Sequence, residues 1–423
     1  VTGDRRRWGR GRAVELLRSE QSEQQASYVE LFFDLVMVFA LNRLVAFAVQ
    51  GAGSADGAID WASVGRVLLL FVPLIWAWTI TAYITARFDP KASGTQSSIL
   101  LTAFAMLVMG TALTGAFGGG GLVFALAYVF AQTCRVLVLG WSLGTHPLAE
   151  LYYRNLAWFG VAAIFWIGGA LAADGARVLL WAVAVAVEFG AARLGWPLPR
   201  LGRERASAWA LRPHHLAERY QQLLLIALGE TILSVGATFA VGRGRVSANE
   251  ILGLLAAFLT AVLLWRIYFH RAGVVLGDAV AAARDPAEVG RFAGSAHLVM
   301  ILGIVATSVG HGIVQTHPTG QSYPPWLAMI LGGPACFLLG RAALERAVFA
   351  RVSLRRWVGI AVLLAAGVPL LSAPPLVAAA AATAVLFGIA VADTRRAARR
   401  PPEAPHPADS EATWLWRRRR PAT

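Results

Sequence analysis

The chain runs to 423 residues, of which 57% are hydrophobic and 15% charged, with a formal net charge of +14 and a mean hydropathy of +0.58. A soluble domain carries about 25% charged residues, so the composition argues against a water-soluble fold and makes lipid the expected solvent. The basic excess is arginine apart from Lys91 and is spread over short segments rather than gathered on one face, which argues against a nucleic-acid partner.

Residues 1–28 hold six arginines. The apolar run that follows contains Glu30 and Asp34 and lacks a small-residue cleavage site, so no cleavable signal peptide is expected. Runs of about 18–25 apolar residues, the length that crosses a hydrocarbon core, then recur along the chain. They fall at 29–50, 63–85, 97–117, 121–143, 154–173, 176–194, 219–241, 250–270, 292–314, 326–344, 357–373 and 375–392. The sequence thus predicts an all-α polytopic membrane protein of about twelve transmembrane helices. The last two runs are split by Ser372-Ala373-Pro374-Pro375, which reads as a tight hairpin or as a kink in a re-entrant segment.

Cytoplasmic loops are enriched in arginine and lysine. With the N-terminus placed inside, the inward segments (1–28, 86–96, 144–154, 193–219, 271–291, 341–356 and 393–423) hold 31 of the 38 basic residues. The outward segments hold four, Arg66, Arg177, Arg243 and Arg245. Both termini are therefore expected on the cytoplasmic side of the membrane.

The two halves of the chain can be laid over each other. Asp34 falls on Glu230, Trp76 and Trp78 on the region of Trp265, Asp89 on Asp278, Cys134 on Cys336, Arg154 on Arg355 and Glu188 on Asp393, at offsets of 189 to 205. The common order predicts a basic N-terminal segment (1–28), a six-helix repeat (29–194), a cytoplasmic linker (195–217), a second six-helix repeat (218–393) and a tail (394–423). An even helix number gives both copies the same orientation, hence parallel repeats about an axis along the membrane normal. In the tail, Arg395-Arg396 and Arg399-Arg400 lead to Trp414-Leu415-Trp416 and Arg417 to Arg420, which suits an anionic lipid surface or a solvated tail equally well.

The stretch Tyr28-Val29-Glu30-Leu31-Phe32-Phe33-Asp34-Leu35-Val36-Met37-Val38-Phe39-Ala40-Leu41 resembles the signature of the bacterial low-temperature-requirement A (LtrA) family. Glu218-Arg219-Tyr220 with Leu228-Gly229-Glu230-Thr231-Ile232-Leu233, and His297 with Leu302-Gly303-Ile304, are similar to further elements of that family. Met37 and Asn42 depart from its pattern without removing an ionisable group. The resemblance covers about residues 20–393 and implies a multi-pass inner-membrane protein, with no settled activity to carry over.

Ionisable groups inside a bilayer are costly and need a partner, water or a purpose. Glu30 and Asp34, four residues apart, share one face of the first helix, and neighbouring carboxylates disfavour joint ionisation; solvation at the helix end or pairing with Arg87 is the plainer alternative. Glu230 falls near the centre of its span, beside Gly229. Arg266 and His270 share a face of the eighth helix, where Arg266 either snorkels to the interface or compensates Glu30 or Asp34. Arg135 and Glu188 are candidates for internal pairing.

His270, His297 and His311 lack metal-ligand spacing, Cys134 and Cys336 sit in apolar runs, and Gly118 to Gly121 lacks the Lys-Ser/Thr of a phosphate loop. No metal or other cofactor is expected, and the absence of a nucleotide motif argues against a primary pump. The expected function is proton-coupled secondary transport of a small solute, with Glu30, Asp34, Glu230, Arg266, His297 and Arg87 as candidate proton- or substrate-binding residues at the interface of two repeats, and with membrane lipids as surroundings. The alternative is an intramembrane enzyme acting on a lipid or hydrophobic metabolite, with carboxylates and His297 for acid–base work and Arg266 or Arg87 holding an anionic group. A scaffold or sensor gives no reason for the duplicated acids.

Overall fold

A computed structural model describes residues 16, 26–52, 60–199, 202–203, 212–240, 247–399 and 404–407. The basic N-terminal segment apart from Leu16 and residues 26–28, the middle of the 195–217 linker, the loop with Arg243 and Arg245, and the Trp414 to Arg420 stretch lie outside the described residues.

The described residues form α-helices α1 (Tyr28–Ala52), α2 (Trp61–Arg87), α3 (Ser93–Ala112), α4 (Gly121–Leu143), α5 (Leu148–Leu171), α6 (Asp174–Leu194), α7 (Pro213–Ala240), α8 (Ala248–Phe269), α9 (Leu276–Ala281), α10 (Pro286–Thr316), α11 (Pro324–Ile330), α12 (Gly332–Phe349), α13 (Leu354–Ala365) and α14 (Pro375–Arg399). Short 3-10 turns stand at Leu113–Gly115 and Pro369–Ser372. Among the described residues, β-structure is limited to an isolated bridge between Leu198 and Gly202.

Eleven helical segments of the described chain are long and apolar enough to cross a bilayer, with α11 and α12 counted as one, Pro324–Phe349. The region expected to supply a twelfth is instead split. Helix α13 stops after 12 residues, Gly367 and Pro369 follow, and the chain turns through Pro369–Ser372 before α14 starts at Pro375. Proline cannot donate to the helical ladder and clashes with the preceding turn, so apolarity here outruns helix length.

Local chemistry sets several helix starts. Ser247 accepts a hydrogen bond from the Glu250 amide while the Glu250 carboxylate accepts one from the Ser247 amide, a reciprocal cap that satisfies two otherwise orphaned donors at the start of α8. At the start of α10 the Asp285 side chain accepts from the Glu288 amide, with Pro286 in the first turn.

By Cα proximity the chain divides into two compact units, the first comprising Val1–Leu44 and Val64–Leu216, the second Val45–Ser63 and Ala217–Thr423. In the first, α3, α4, α5 and α6 pack each on the next. Their core includes Phe88, Leu139, Leu143, Tyr152, Phe159 and Trp196. A second aromatic cluster joins Phe124, Trp166 and Trp181, with Trp166 and Trp181 5.4 Å apart. Arg177, at the start of α6, reaches the carbonyls of Ala116 and Gly118 (3.1 and 3.0 Å) and those of Gly169, Ala170 and Ala172 (3.3 Å each). It thereby neutralises the C-terminal end of α5.

In the second unit α10 lies against α12, and α14 against α8. The α10–α12 seam is built from glycine. A Cβ on Gly303 would come within 2.4 Å of the Phe337 amide nitrogen, one on Gly333 within 2.5 Å of the Thr307 nitrogen, and one on Gly340 within 2.7 Å of the Met300 nitrogen. Farther along, Gly310 faces the backbone of Ile330 in α11 at 2.9 Å. Such backbone approach is the packing that small residues permit between helices where no hydrophobic force acts. The outer faces are apolar: Ile251, Leu255, Phe258 and Val262 of α8, and Leu100, Phe104 and Leu107 of α3, are exposed at helical spacing. These stripes suit lipid rather than water.

Candidate functional site

In the first unit, α1 buries Glu30, Phe33, Asp34, Met37, Leu41 and Leu44, the i, i+3, i+4, i+7 stripe of a helix with one covered face. Both acids therefore face protein. Glu30 is 0% and Asp34 4% exposed, so solvation at a helix end does not describe them. The Glu30 carboxylate accepts from the Ser27 amide (2.8 Å) and hydroxyl (2.9 Å), and its other oxygen lies 3.2 Å from Nε2 of the fully buried His215. Asp34 accepts a 2.9 Å hydrogen bond from the Trp78 indole. Arg87 ends α2 and is itself buried.

A second polar group of this unit runs through α4, α5 and α6. Glu188 is 1% exposed and accepts from Tyr128 Oη (2.5 Å), Gln132 Nε2 (3.2 Å) and Trp166 Nε1 (3.0 Å). The Gln132 amide also donates to Tyr128 Oη (2.7 Å), and its oxygen accepts from the buried Arg135. Arg135 further reaches the Ala77 carbonyl and Thr81 hydroxyl of α2 at 3.4 and 3.5 Å. Arg135 and Glu188 are thus joined through Gln132 rather than as a direct ion pair.

In the second unit, Glu230 of α7 is 0% exposed and accepts from the Ser234 hydroxyl one turn on. It sits 17 residues past Pro213, about 5 Å from the midpoint of the helix at 1.5 Å per residue. His297 is buried beneath Tyr220, which stacks on it at 4.6 Å. Its Nδ1 faces the Ala293 carbonyl at 2.7 Å and its Nε2 the Tyr268 hydroxyl at 2.8 Å. A carbonyl only accepts, so Nδ1 carries the proton and Nε2 accepts from Tyr268. Arg266 bonds the Thr394 hydroxyl at 3.2 Å.

The densest charge lies where α12, α13 and α14 meet. Glu345 is 3.2 Å from Arg341 and 3.1 Å from Arg356. Asp393 is 2.6 Å from Arg356 and 2.9 Å from Arg355. Arg341 also donates to the Ile267 and His270 carbonyls (3.1 and 2.6 Å) at the end of α8. Beside it, burial holds the His270 pKa below the usual histidine value, against the pull of Asp393, so this ring adds no charge near neutral pH.

Of the residues singled out from sequence, Glu30 and Asp34 share the covered face of α1, while Glu230, Arg266 and His297 each lie among other partners within the second unit. His215, Tyr128, Gln132, Trp166, Arg341 and Arg356 carry no motif. Tyr128, Gln132 and Arg135 do show a sequence signal, since the intervals of four and three put them on one face of an apolar helix. Cys134 and Cys336 are free thiols. Among the described residues no three of histidine, cysteine, aspartate and glutamate come together as a metal-holding group.

Many apolar spanning helices with lipid-suited outer faces and charges turned inward define a multi-pass, all-α membrane protein. More narrowly, the chain belongs to the bacterial low temperature requirement A protein (LtrA) family, whose family model matches residues 25–391. It is similar to an uncharacterized protein of Rhizobium meliloti (strain 1021), with 32% identity over 338 residues, covering 78% of this chain and 80% of the relative. No solved structure matches.

Proposed function

We propose that the protein is a proton-coupled secondary transporter of the bacterial cytoplasmic membrane, with Glu30, Asp34 and Glu230 as its proton- or solute-binding acids. The observation that carries this reading is Glu230: a carboxyl group wholly covered by protein, close to the middle of a spanning helix. An intramembrane acid is by default a functional group. Its serine neighbour can donate to a carboxylate or accept from a protonated acid, so both states find a partner. Asp34 with the Trp78 indole and Glu30 with His215 provide two further acids on the helix that opens the first unit. In the same reading the two units descend from one six-helix repeat, and the arginine distribution keeps both termini cytoplasmic.

The test is flux in proteoliposomes with an entrapped pH dye, against a panel of organic cations and neutral polar solutes. Wild-type protein is expected to couple solute entry to proton movement, and Glu230→Gln to abolish the coupling while remaining folded. A Glu230→Gln protein indistinguishable from wild type, or no pH-coupled flux with any solute, overturns the reading. The intramembrane-enzyme alternative has less support, because both ring nitrogens of His297 are already engaged and the ring is covered by Tyr220.

A further inference from the structure

The C-terminal half of α14 and the start of α13 form an open groove of about 720 Å³. Its two ends differ in chemistry. One end is lined by Arg355, Arg395, Arg396 and Arg399, the other by Phe387 and Val391. Phe387 is 60% exposed and precedes Arg395 by eight residues, about 12 Å along the helix axis. Val391, Arg395 and Arg399 follow at intervals of four, so one face of α14 passes from apolar to cationic.

Among the described residues, arginines outnumber carboxylates at this end. The adjoining cavity is lined by Arg271, Arg341, Arg351, Arg355, Arg356 and Arg396, against the two carboxylates Glu345 and Asp393. Both carboxylates are engaged by Arg341, Arg355 and Arg356. Arg395 and Arg399 are exposed, and no carboxylate among the described residues pairs with them. Arg355 is held in place by the Ala392 carbonyl at 2.7 Å and the Ser353 hydroxyl at 3.2 Å. A guanidinium fork matches a phosphate geometrically and electrostatically, and α14 is long and apolar enough to cross a membrane. An amphiphile with a phosphodiester at one end and an acyl chain at the other matches both ends of the groove, whereas a free phosphate would use only one.

We infer that this groove binds an anionic phospholipid, its headgroup phosphate between Arg355, Arg395 and Arg399 and an acyl chain along Val391 and Phe387. The inference rests on the membrane fold and stands apart from the transport reading.

The test uses the full chain purified in a non-ionic detergent, titrated with phosphatidylglycerol, phosphatidylcholine or inorganic phosphate and read by native mass spectrometry and thermal shift. Wild type should bind phosphatidylglycerol in preference to phosphatidylcholine. Arg395→Ala with Arg399→Ala should weaken phosphatidylglycerol binding about 25-fold, taking about fivefold per arginine. These side chains are exposed, so the double variant should keep the wild-type elution volume on gel filtration. Phe387→Ala should weaken the lipid and leave inorganic phosphate unaffected. Equal binding of the two lipids, or unchanged phosphatidylglycerol binding by the double variant, overturns the inference. Inorganic phosphate that stabilises as strongly as the lipid, with no effect of Phe387→Ala, assigns the arginines to a free anion and overturns it too.

Discussion

Two networks, one in each unit, keep carboxyl groups out of water by different means. Glu188, in the first, is surrounded by neutral donors: a phenol, an indole and an amide, with the nearest guanidinium reached only through Gln132. Glu345 and Asp393, in the second, are clasped directly by Arg341, Arg355 and Arg356. Neutral donors hold an acid at modest net gain per bond and without a counter-charge. Guanidinium groups fix the charged form, and their removal strands an ion. The first arrangement joins an acid on one helix to uncharged groups on two others; the second is a charged brace between helices.

The contrast can be broken by substitution. Arg356→Ala is expected to have the largest effect, about 3 kcal/mol, the low end for breaking a buried ion pair because Arg341 and Arg355 each still hold one acid; thermal unfolding in detergent measures it. Tyr128→Phe should cost about 2 kcal/mol by removing one donor from a buried acceptor. Glu188→Gln, which keeps the shape but turns an NH2 toward one of the three donors, should cost about 1.5 kcal/mol in the same assay. If Glu188→Gln costs as much as Arg356→Ala, the first network is ionic after all and the distinction between the two networks fails. Trp78→Phe is expected to cost about 1 kcal/mol, and a double-mutant cycle with Asp34→Asn should recover most of that as coupling between the two side chains. The smallest effect belongs to Arg154→Ala. Its pair with Glu150 is 2.5 Å long but joins an acid that is 47% exposed, and such surface pairs contribute about 0.2–0.5 kcal/mol.

Helix positions were largely legible because a bilayer demands runs of fixed length. The fourth run coincides with α4, and α6 starts two residues before its expected bound. Hydropathy misses what lies beyond the lipid. Helix α7 starts at Pro213, six residues ahead of its apolar run, because Pro213 suits a first helical position and the polar residues after it continue the ladder. It also misses Gly367 and Pro369, which shorten α13 without lowering its apolarity. The burial of Glu230 followed from its place inside an apolar run, whereas that of Glu30 and Asp34, close to the start of α1, was not decided by the sequence and comes from the packing of the covered face of α1. Their partners did not follow: Ser234 is a local neighbour, but Trp78 is 44 residues from Asp34 and His215 is far along the chain from Glu30. Such pairings are decided by tertiary packing rather than by local pattern.

The glycine seam of Gly303, Gly333 and Gly340 bears on how the second unit could work. With main chain against main chain and no side-chain cushion, α10 and α12 have no room to slide past each other or change register, and must travel as a single strut. Spin labels placed on their outer faces should report one unchanging separation through any working cycle, while displacement is taken up in the helices around them.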